Sequence, residues 1–137
     1  MAIPREINIL IVDDFYATRK LLKKSLKTLG FRGEIFEADQ VSLARDILTN
    51  NPLFLSLDFI ISDIDMPGES GLDLLTYVKA NENFSKIPFL ILSAITNKHI
   101  VLDAIDKGVD NYLLKPWDDQ ALLKKMENSW TKVTALE

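Results

Sequence analysis

The sequence predicts an α/β fold of (βα)5 type, a doubly wound five-stranded parallel sheet, and three observations predict it. Five short apolar runs alternate with five amphipathic helical stripes. The runs are rich in β-branched and aromatic residues, as strands covered on both faces require. Three of the runs end in charged residues, and in an open parallel sheet the carboxyl ends of the strands border the binding crevice. Strict alternation of strand and helix implies right-handed crossovers with helices on both faces.

Ile7 to Val12 forms the first run. Leu22, Leu26 and Leu29 then recur at helical spacing, and Gly30 closes that stripe as a carboxyl cap. Ile35 to Ala38 reads as the second strand, followed by a stripe of Leu43, Ala44, Ile47 and Leu48. Phe59 to Ser62 is the third strand, and Leu72, Leu75 and Val78 mark the helix behind it. Phe89 to Ser93 is the fourth, with Val101, Ala104 and Ile105 running to Gly108. Tyr112 to Leu114 is the fifth; beyond Pro116, the residues Leu122, Leu123, Met126, Trp130 and Val133 complete the last helix, with Asp118 or Asp119 placed to cap its start. No repeat, low-complexity tract or linker interrupts the pattern, so residues 1–137 read as one domain.

Composition narrows the class. With 47% hydrophobic and 26% charged residues the chain can bury a sizeable core and has no signature of disorder. There is no cysteine, which excludes a disulfide framework and a thiolate zinc site and suits a reducing compartment. The amino-terminal residues lack the charged start and apolar stretch of a signal peptide, and no run approaches membrane-spanning length, so a cytoplasmic protein without membrane insertion is expected. A net charge of −4 argues against nucleic acid as the partner. His99, the only histidine, reads as a surface residue; Arg19, Lys20, Lys23, Lys24 and Lys27 read as a solvated helix face.

The chemistry lies at the strand ends. Asp13 and Asp14 follow the first strand, Asp63 and Asp65 the third, and Lys115 the fifth. Carboxylates brought into one crevice repel unless a divalent cation sits among them, and an all-oxygen set suits a hard ion such as Mg²⁺. A lysine beside a metal-bound acid cluster points to phosphate. Each element has a plainer reading when taken alone. An acidic pair can simply favour a helix start, Met66-Pro67 with Gly71 can be only a turn, Ser93 a loop residue and Tyr112 a core aromatic.

Together the motifs resemble the receiver domains of two-component response regulators, and within them the stand-alone chemotaxis branch. Asp13-Asp14-Phe15 with Arg19 fits the pattern Asp-Asp-Phe-x-x-x-Arg, and Asp63 to Gly71 fits the phosphoacceptor signature Asp-x-x-Met-Pro-x-x-x-Gly. Ser93-Ala94 stands where the family keeps a switch serine or threonine, Tyr112 at its switch aromatic, and Lys115-Pro116 at the end of the last strand. The resemblance implies a flavodoxin-like sheet of order 2-1-3-4-5. It also implies a phosphoryl-accepting Asp63 assisted by Lys115 and Ser93, and a cis Lys115–Pro116 bond. Mg²⁺ would be held by Asp14 and Asp63 directly, by Asp13 through water and by the backbone carbonyl of Asp65. Phosphate on Asp63 would draw in Ser93 and let Tyr112 rotate inward. The implied partners are a histidine kinase or phosphotransfer protein, and a target on the face of the fourth helix, fifth strand and fifth helix; a monomer is expected.

Three features depart from that pattern. Val41 stands where the family often has glycine, Ile95 where chemotaxis regulators often carry a polar residue, and the segment 50–58 is longer and apolar through Phe54, Leu55 and Leu57, which are expected to cap the core. Two other function classes compete with the stand-alone switch. One is the receiver part of a longer regulator with an output domain. The other is an enzyme, because Asp63-Ile64-Asp65 superficially matches the Asp-x-Asp of haloacid-dehalogenase-type phosphatases; there, however, that motif lies on the first strand, whereas here the acidic pair comes first.

Overall fold

The computed structural model describes residues 2–50 and 56–135. Its elements follow the expected order: β1 (Ile9–Val12), α1 (Tyr16–Thr28), β2 (Ile35–Ala38), α2 (Val41–Thr49), β3 (Phe59–Ser62), α3 (Gly71–Ala80), β4 (Phe89–Ser93), α4 (Lys98–Asp106), β5 (Asn111–Leu114) and α5 (Asp119–Thr134). The strands form one parallel sheet in the order β2-β1-β3-β4-β5.

Side-chain alternation divides the interior into two cores, one on each face of the sheet. Leu10, Val12, Ile60, Phe89 and Ile91 pack with Ala44, Leu48, Leu74, Leu75, Val78 and Ala104 of α2, α3 and α4. Ile9, Ile11, Phe59, Ile61, Leu90 and Leu92 pack with Leu22, Leu26, Leu122 and Met126 of α1 and α5. The three central strands are therefore buried along their whole length, whereas the outer strands β2 and β5 are only partly covered. Burying one such aliphatic side chain contributes about 1.5–3 kcal/mol, so this double core dominates the fold's stability.

The helix ends are set locally. Ser70 and Asp73 form a reciprocal capping box at α3, Asn97 caps α4, and Asp118 rather than Asp119 caps α5. Two expected core positions are not core. Leu43 of α2 and Ile105 of α4 are exposed, while Val41 is buried in α2 and Ala104 alone is fully buried in α4. The reason is phase: α2 begins at Val41, which turns Ala44 and Leu48 inward and Leu43 outward. Ile7 is buried but lies before the first ladder residue, Ile9. Phe54 and Leu55 lie outside the described residues; Leu57 packs against the core as expected.

At the amino ends of the strands a lysine and an acid join three elements. Lys79 Nζ meets Asp110 Oδ2 at 2.9 Å and donates to the Ser85 carbonyl at 3.3 Å, while the Phe89 N–H donates to the same Asp110 oxygen at 2.8 Å. Among the described residues no helix is long and apolar enough to cross a membrane.

Candidate functional site

The site is built by extending the sheet one residue beyond its strands. The Asp13 N–H donates to the Ala38 carbonyl, the Asp63 N–H to that of Val12, and the Lys115 N–H to that of Ser93. Each bond fixes a charged residue at the carboxyl end of a neighbouring strand, so residues far apart in sequence are brought to one crevice.

There, carboxylate oxygens of Asp13, Asp14 and Asp63 all lie within 4.8 Å of one another. Lys115 Nζ bridges two of them, at 2.8 Å from Asp13 Oδ2 and 3.1 Å from Asp63 Oδ2. The second oxygens of these acids accept from backbone: Asp13 Oδ1 from Phe15 N–H at 2.9 Å and Asp63 Oδ1 from Ile64 N–H at 2.7 Å. Asp14 Oδ1 is buried and has no hydrogen-bond partner among the described residues. Three carboxylates against one ammonium leave surplus negative charge in a poorly solvated place. Burial by itself would push Lys115 down, but its hydrogen bonds to Asp13 and Asp63 hold its pKa above the ordinary lysine value. The donor set, all oxygen and all hard, fits a divalent cation such as Mg²⁺. Asp65 is exposed and its carboxylate is not part of the cluster. The Lys115–Pro116 bond is cis.

The loop after β3 explains the spacing of its signature. A side chain at Gly71 would place its Cβ 1.8 Å from the Asp63 carbonyl oxygen, so only glycine lets α3 start this close behind the aspartate. Gly68 has φ +82°, which supplies the turn, and Ile64 and Met66 anchor the loop in the core.

Ser93 and Tyr112 meet on one residue. The buried Ser93 Oγ accepts from the Ile95 N–H at 3.2 Å, and the Tyr112 hydroxyl donates to the Ile95 carbonyl at 2.7 Å. Burial pushes the Tyr112 phenol up; the Ser93 hydroxyl opposes this and the Asp63 charge adds to it. His99 is exposed, as expected of a surface residue.

Two supports of the site were not legible from sequence as such. Arg19, expected as part of a motif and on a solvated helix face, is instead mostly covered: it donates from Nη1 to the Asp13 carbonyl at 2.8 Å and from Nε to Glu37 Oε1 at 3.1 Å, with its guanidinium 5.7 Å from the Tyr16 ring centre. Glu37 also takes Lys23 at 3.0 Å; burial would raise its pKa, yet these two cations hold it low. A lone acid in the apolar strand β2 was the available signal. The second support is Arg45, which grips Glu69 with both nitrogens and lies over Tyr77, tying the loop after β3 to α2.

Likeness to known proteins agrees with the fold and the crevice. The pattern of the response regulator receiver domain matches residues 9–127. The chain belongs to the response regulator receiver family. Among similar receivers is the chemotaxis protein CheY of Pseudomonas aeruginosa, 35% identical over 93% of this chain and 98% of that one. CheY-3 of Vibrio cholerae is 32% identical over 94% and 95%. Among solved structures, a response regulator receiver domain from Clostridium thermocellum aligns with a TM-score of 0.81 at 27% identity, covering 96% of this chain and 99% of the other. The sheet order implied by the resemblance is the observed one, and the chain is a CheY-like receiver domain of two-component signalling. The haloacid-dehalogenase-type reading gains no support from these matches.

Proposed function

We propose that this receiver is a phosphorylation-activated switch that works as a single domain in cytoplasmic, chemotaxis-type signalling. The observation that carries the reading is the unbalanced crevice: three acids, one shared lysine, and a buried Asp14 oxygen without a partner among the described residues. Asp14 and Asp63 would hold Mg²⁺ directly, Asp13 through water and Asp65 by its backbone carbonyl. The ion, when bound, supplies counter-charge to phosphoryl oxygens.

In the reaction a carboxylate oxygen of Asp63 attacks phosphorus, forming the acyl phosphate O–P bond as the P–N bond to the histidine of a kinase or phosphotransfer protein breaks and the imidazole leaves. Lys115 and Ser93 then face the peripheral phosphoryl oxygens, one with charge and one with a hydroxyl donor. The domain acts as a substrate that assists its own modification rather than as an enzyme on other molecules. Because the Ser93 hydroxyl and the Tyr112 phenol both hold Ile95, recruitment of Ser93 to phosphate loosens one end of that link and changes the hold on Tyr112. The face of α4, β5 and α5 is the output surface for a protein target; Leu102, Ile105 and Leu114 are 46%, 58% and 47% exposed on those elements. The protein acts as a monomer.

Incubation with Mg²⁺ and acetyl phosphate is expected to add one phosphoryl group by intact mass, labile to hydroxylamine, and Asp63→Asn is expected to abolish it. A mass gain that survives in Asp63→Asn, or a label stable to hydroxylamine, would overturn the assignment.

A further inference from the structure

Ser62, the last residue of β3, is a wholly buried hydroxyl at the end of an otherwise apolar strand. Its partners in the sheet register are Val12 of β1 and Ile91 of β4, neither of which is exposed at all. Burying a hydroxyl in such a place costs free energy unless it finds a hydrogen-bond partner, and a small apolar side chain would fill the strand without that cost. The partner is the backbone of the next residue: Ser62 Oγ donates to the Asp63 carbonyl at 2.8 Å.

That carbonyl belongs to the peptide unit joining Asp63 to Ile64. The N–H of the same unit, on Ile64, donates to Asp63 Oδ1 at 2.7 Å. One peptide plane therefore carries both contacts, its oxygen held by Ser62 and its hydrogen holding the Asp63 carboxylate. Because the peptide is planar, turning the carbonyl turns the N–H with it. The surrounding backbone has its donors in use elsewhere. Gly71 comes so close to the same carbonyl that a Cβ there would lie 1.8 Å from its oxygen, but the Gly71 N–H goes to the Ile64 carbonyl at 2.9 Å. The Asp63 N–H goes to the Val12 carbonyl at 2.9 Å. With Oδ1 held by Ile64, Oδ2 is the oxygen that meets Lys115, at 3.1 Å.

We propose that Ser62 is a positioning residue for phosphoryl transfer: by holding the peptide between Asp63 and Ile64, its hydroxyl directs the Ile64 N–H and so sets the orientation of the Asp63 carboxylate. The proposal rests on the reading of Asp63 as the phosphoacceptor. Ser62 acts through the peptide alone and makes no bond to phosphorus or metal. In-line attack depends on the angle and distance of the attacking oxygen, so a small turn of the carboxylate slows the reaction out of proportion to its effect on the fold. If the hydroxyl merely satisfied itself on the nearest acceptor, its loss would touch stability and leave the carboxylate where it is.

The test compares the full chain with Ser62→Ala and with Ser62→Cys, which keeps the volume and puts a weak donor in place of a strong one. In the metal-free parent the Ile64 amide proton is expected far downfield, because it donates to a carboxylate. Both variants should move it upfield, while the amides of Ile9 and Leu113, elsewhere in the sheet, stay in place. With Mg²⁺ saturating for each protein, phosphorylation by acetyl phosphate, followed by intact mass, should slow at least about tenfold in both. An unmoved Ile64 amide in Ser62→Ala would overturn the proposal, as would a parent-like rate in that variant. So would Ser62→Cys with the amide position and rate of the parent, since volume and not the hydroxyl would then decide. Loss of the folded state in both variants, seen by urea unfolding, would make Ser62 a core residue only and overturn it too. If the parent itself takes up no phosphoryl group, the reading of Asp63 fails instead, and the Ile64 amide alone decides whether Ser62 positions the carboxylate.

Discussion

Two lysines with similar burial stand at opposite ends of the sheet. The side chains of Lys79 and Lys115 are 20% and 17% exposed, and each meets an acid that is almost wholly covered. At the amino end the charges balance. One lysine faces one acid, Asp110, and the remaining acceptor and donor are backbone groups, the Ser85 carbonyl after α3 and the Phe89 N–H of β4. At the carboxyl end one lysine serves two acids while a third, Asp14, keeps a buried oxygen without a partner among the described residues. The first arrangement holds three elements together. The second is incomplete by itself, and that incompleteness makes it a candidate metal site.

The sharpest way to break the comparison is to remove one acid from each end. Asp110→Ala leaves Lys79 buried without its counter-charge and the Phe89 N–H without its acceptor. Loss of about 3–5 kcal/mol in urea unfolding is expected, by analogy with broken buried pairs, with the response to Mg²⁺ retained. Asp14→Asn should do the opposite. It removes one of three crowded charges, so the metal-free protein should gain about 1 kcal/mol. The parent should be stabilised by about 1.4 kcal/mol at a Mg²⁺ concentration ten times its dissociation constant, and Asp14→Asn should respond far less. If Asp14→Asn is destabilised and still responds to Mg²⁺ like the parent, the two ends do not differ as described.

The same contrast separates what the sequence displays from what it hides. The five strands and the acid cluster were legible because each relies on a local pattern: a short apolar run for every strand, and at the ends of β1 and β3 an acid immediately after it. The phase of a short helix was less so. Leu43 and Ile105 look like core residues by spacing alone, and only the first helical residue decides which side faces the sheet. Long-range pairs were not legible at all. Nothing near Lys79 in the sequence announces Asp110, and Arg19 could be noted as part of a pattern without revealing that it clamps the Asp13 carbonyl against Glu37. Residues 51–55, which include Phe54 and Leu55 of the expected apolar cap, lie outside the described structure.

A smaller effect tests the carboxyl-end lysine by pH. Lys115 is held above the ordinary lysine value of 10.5 by Asp13 and Asp63 against the effect of its burial. A raised folded pKa means its contribution is complete below the unfolded value and is lost as pH climbs through the folded one. Stability of the parent should therefore fall more steeply above about pH 10.5 than that of Lys115→Met. The Tyr112 phenol, also raised, titrates in the same alkaline window, so the pair should be compared in a Tyr112→Phe background. Equal slopes with and without Lys115 would show that the lysine is not differentially bound to the two acids.

The smallest effect concerns the link between crevice and surface. Ile95 is held by its N–H on Ser93 Oγ and by its carbonyl on the Tyr112 hydroxyl, so two side chains on neighbouring strands, β4 and β5, grip one residue of the loop before α4. Ser93→Ala and Tyr112→Phe each delete one hydrogen bond, and each should cost about 0.5–1.5 kcal/mol. If the loop moves as a unit, losing one grip relaxes it and lowers the worth of the other. The double variant should then cost less than the sum, with a coupling of at least about 0.5 kcal/mol. Saturating beryllofluoride, which mimics phosphate on Asp63, should change that coupling, because Ser93 would then have a second partner to serve. Additive losses that are the same with and without beryllofluoride would mean that the two grips are independent, leaving Tyr112 a packing residue that happens to lie beside Ser93.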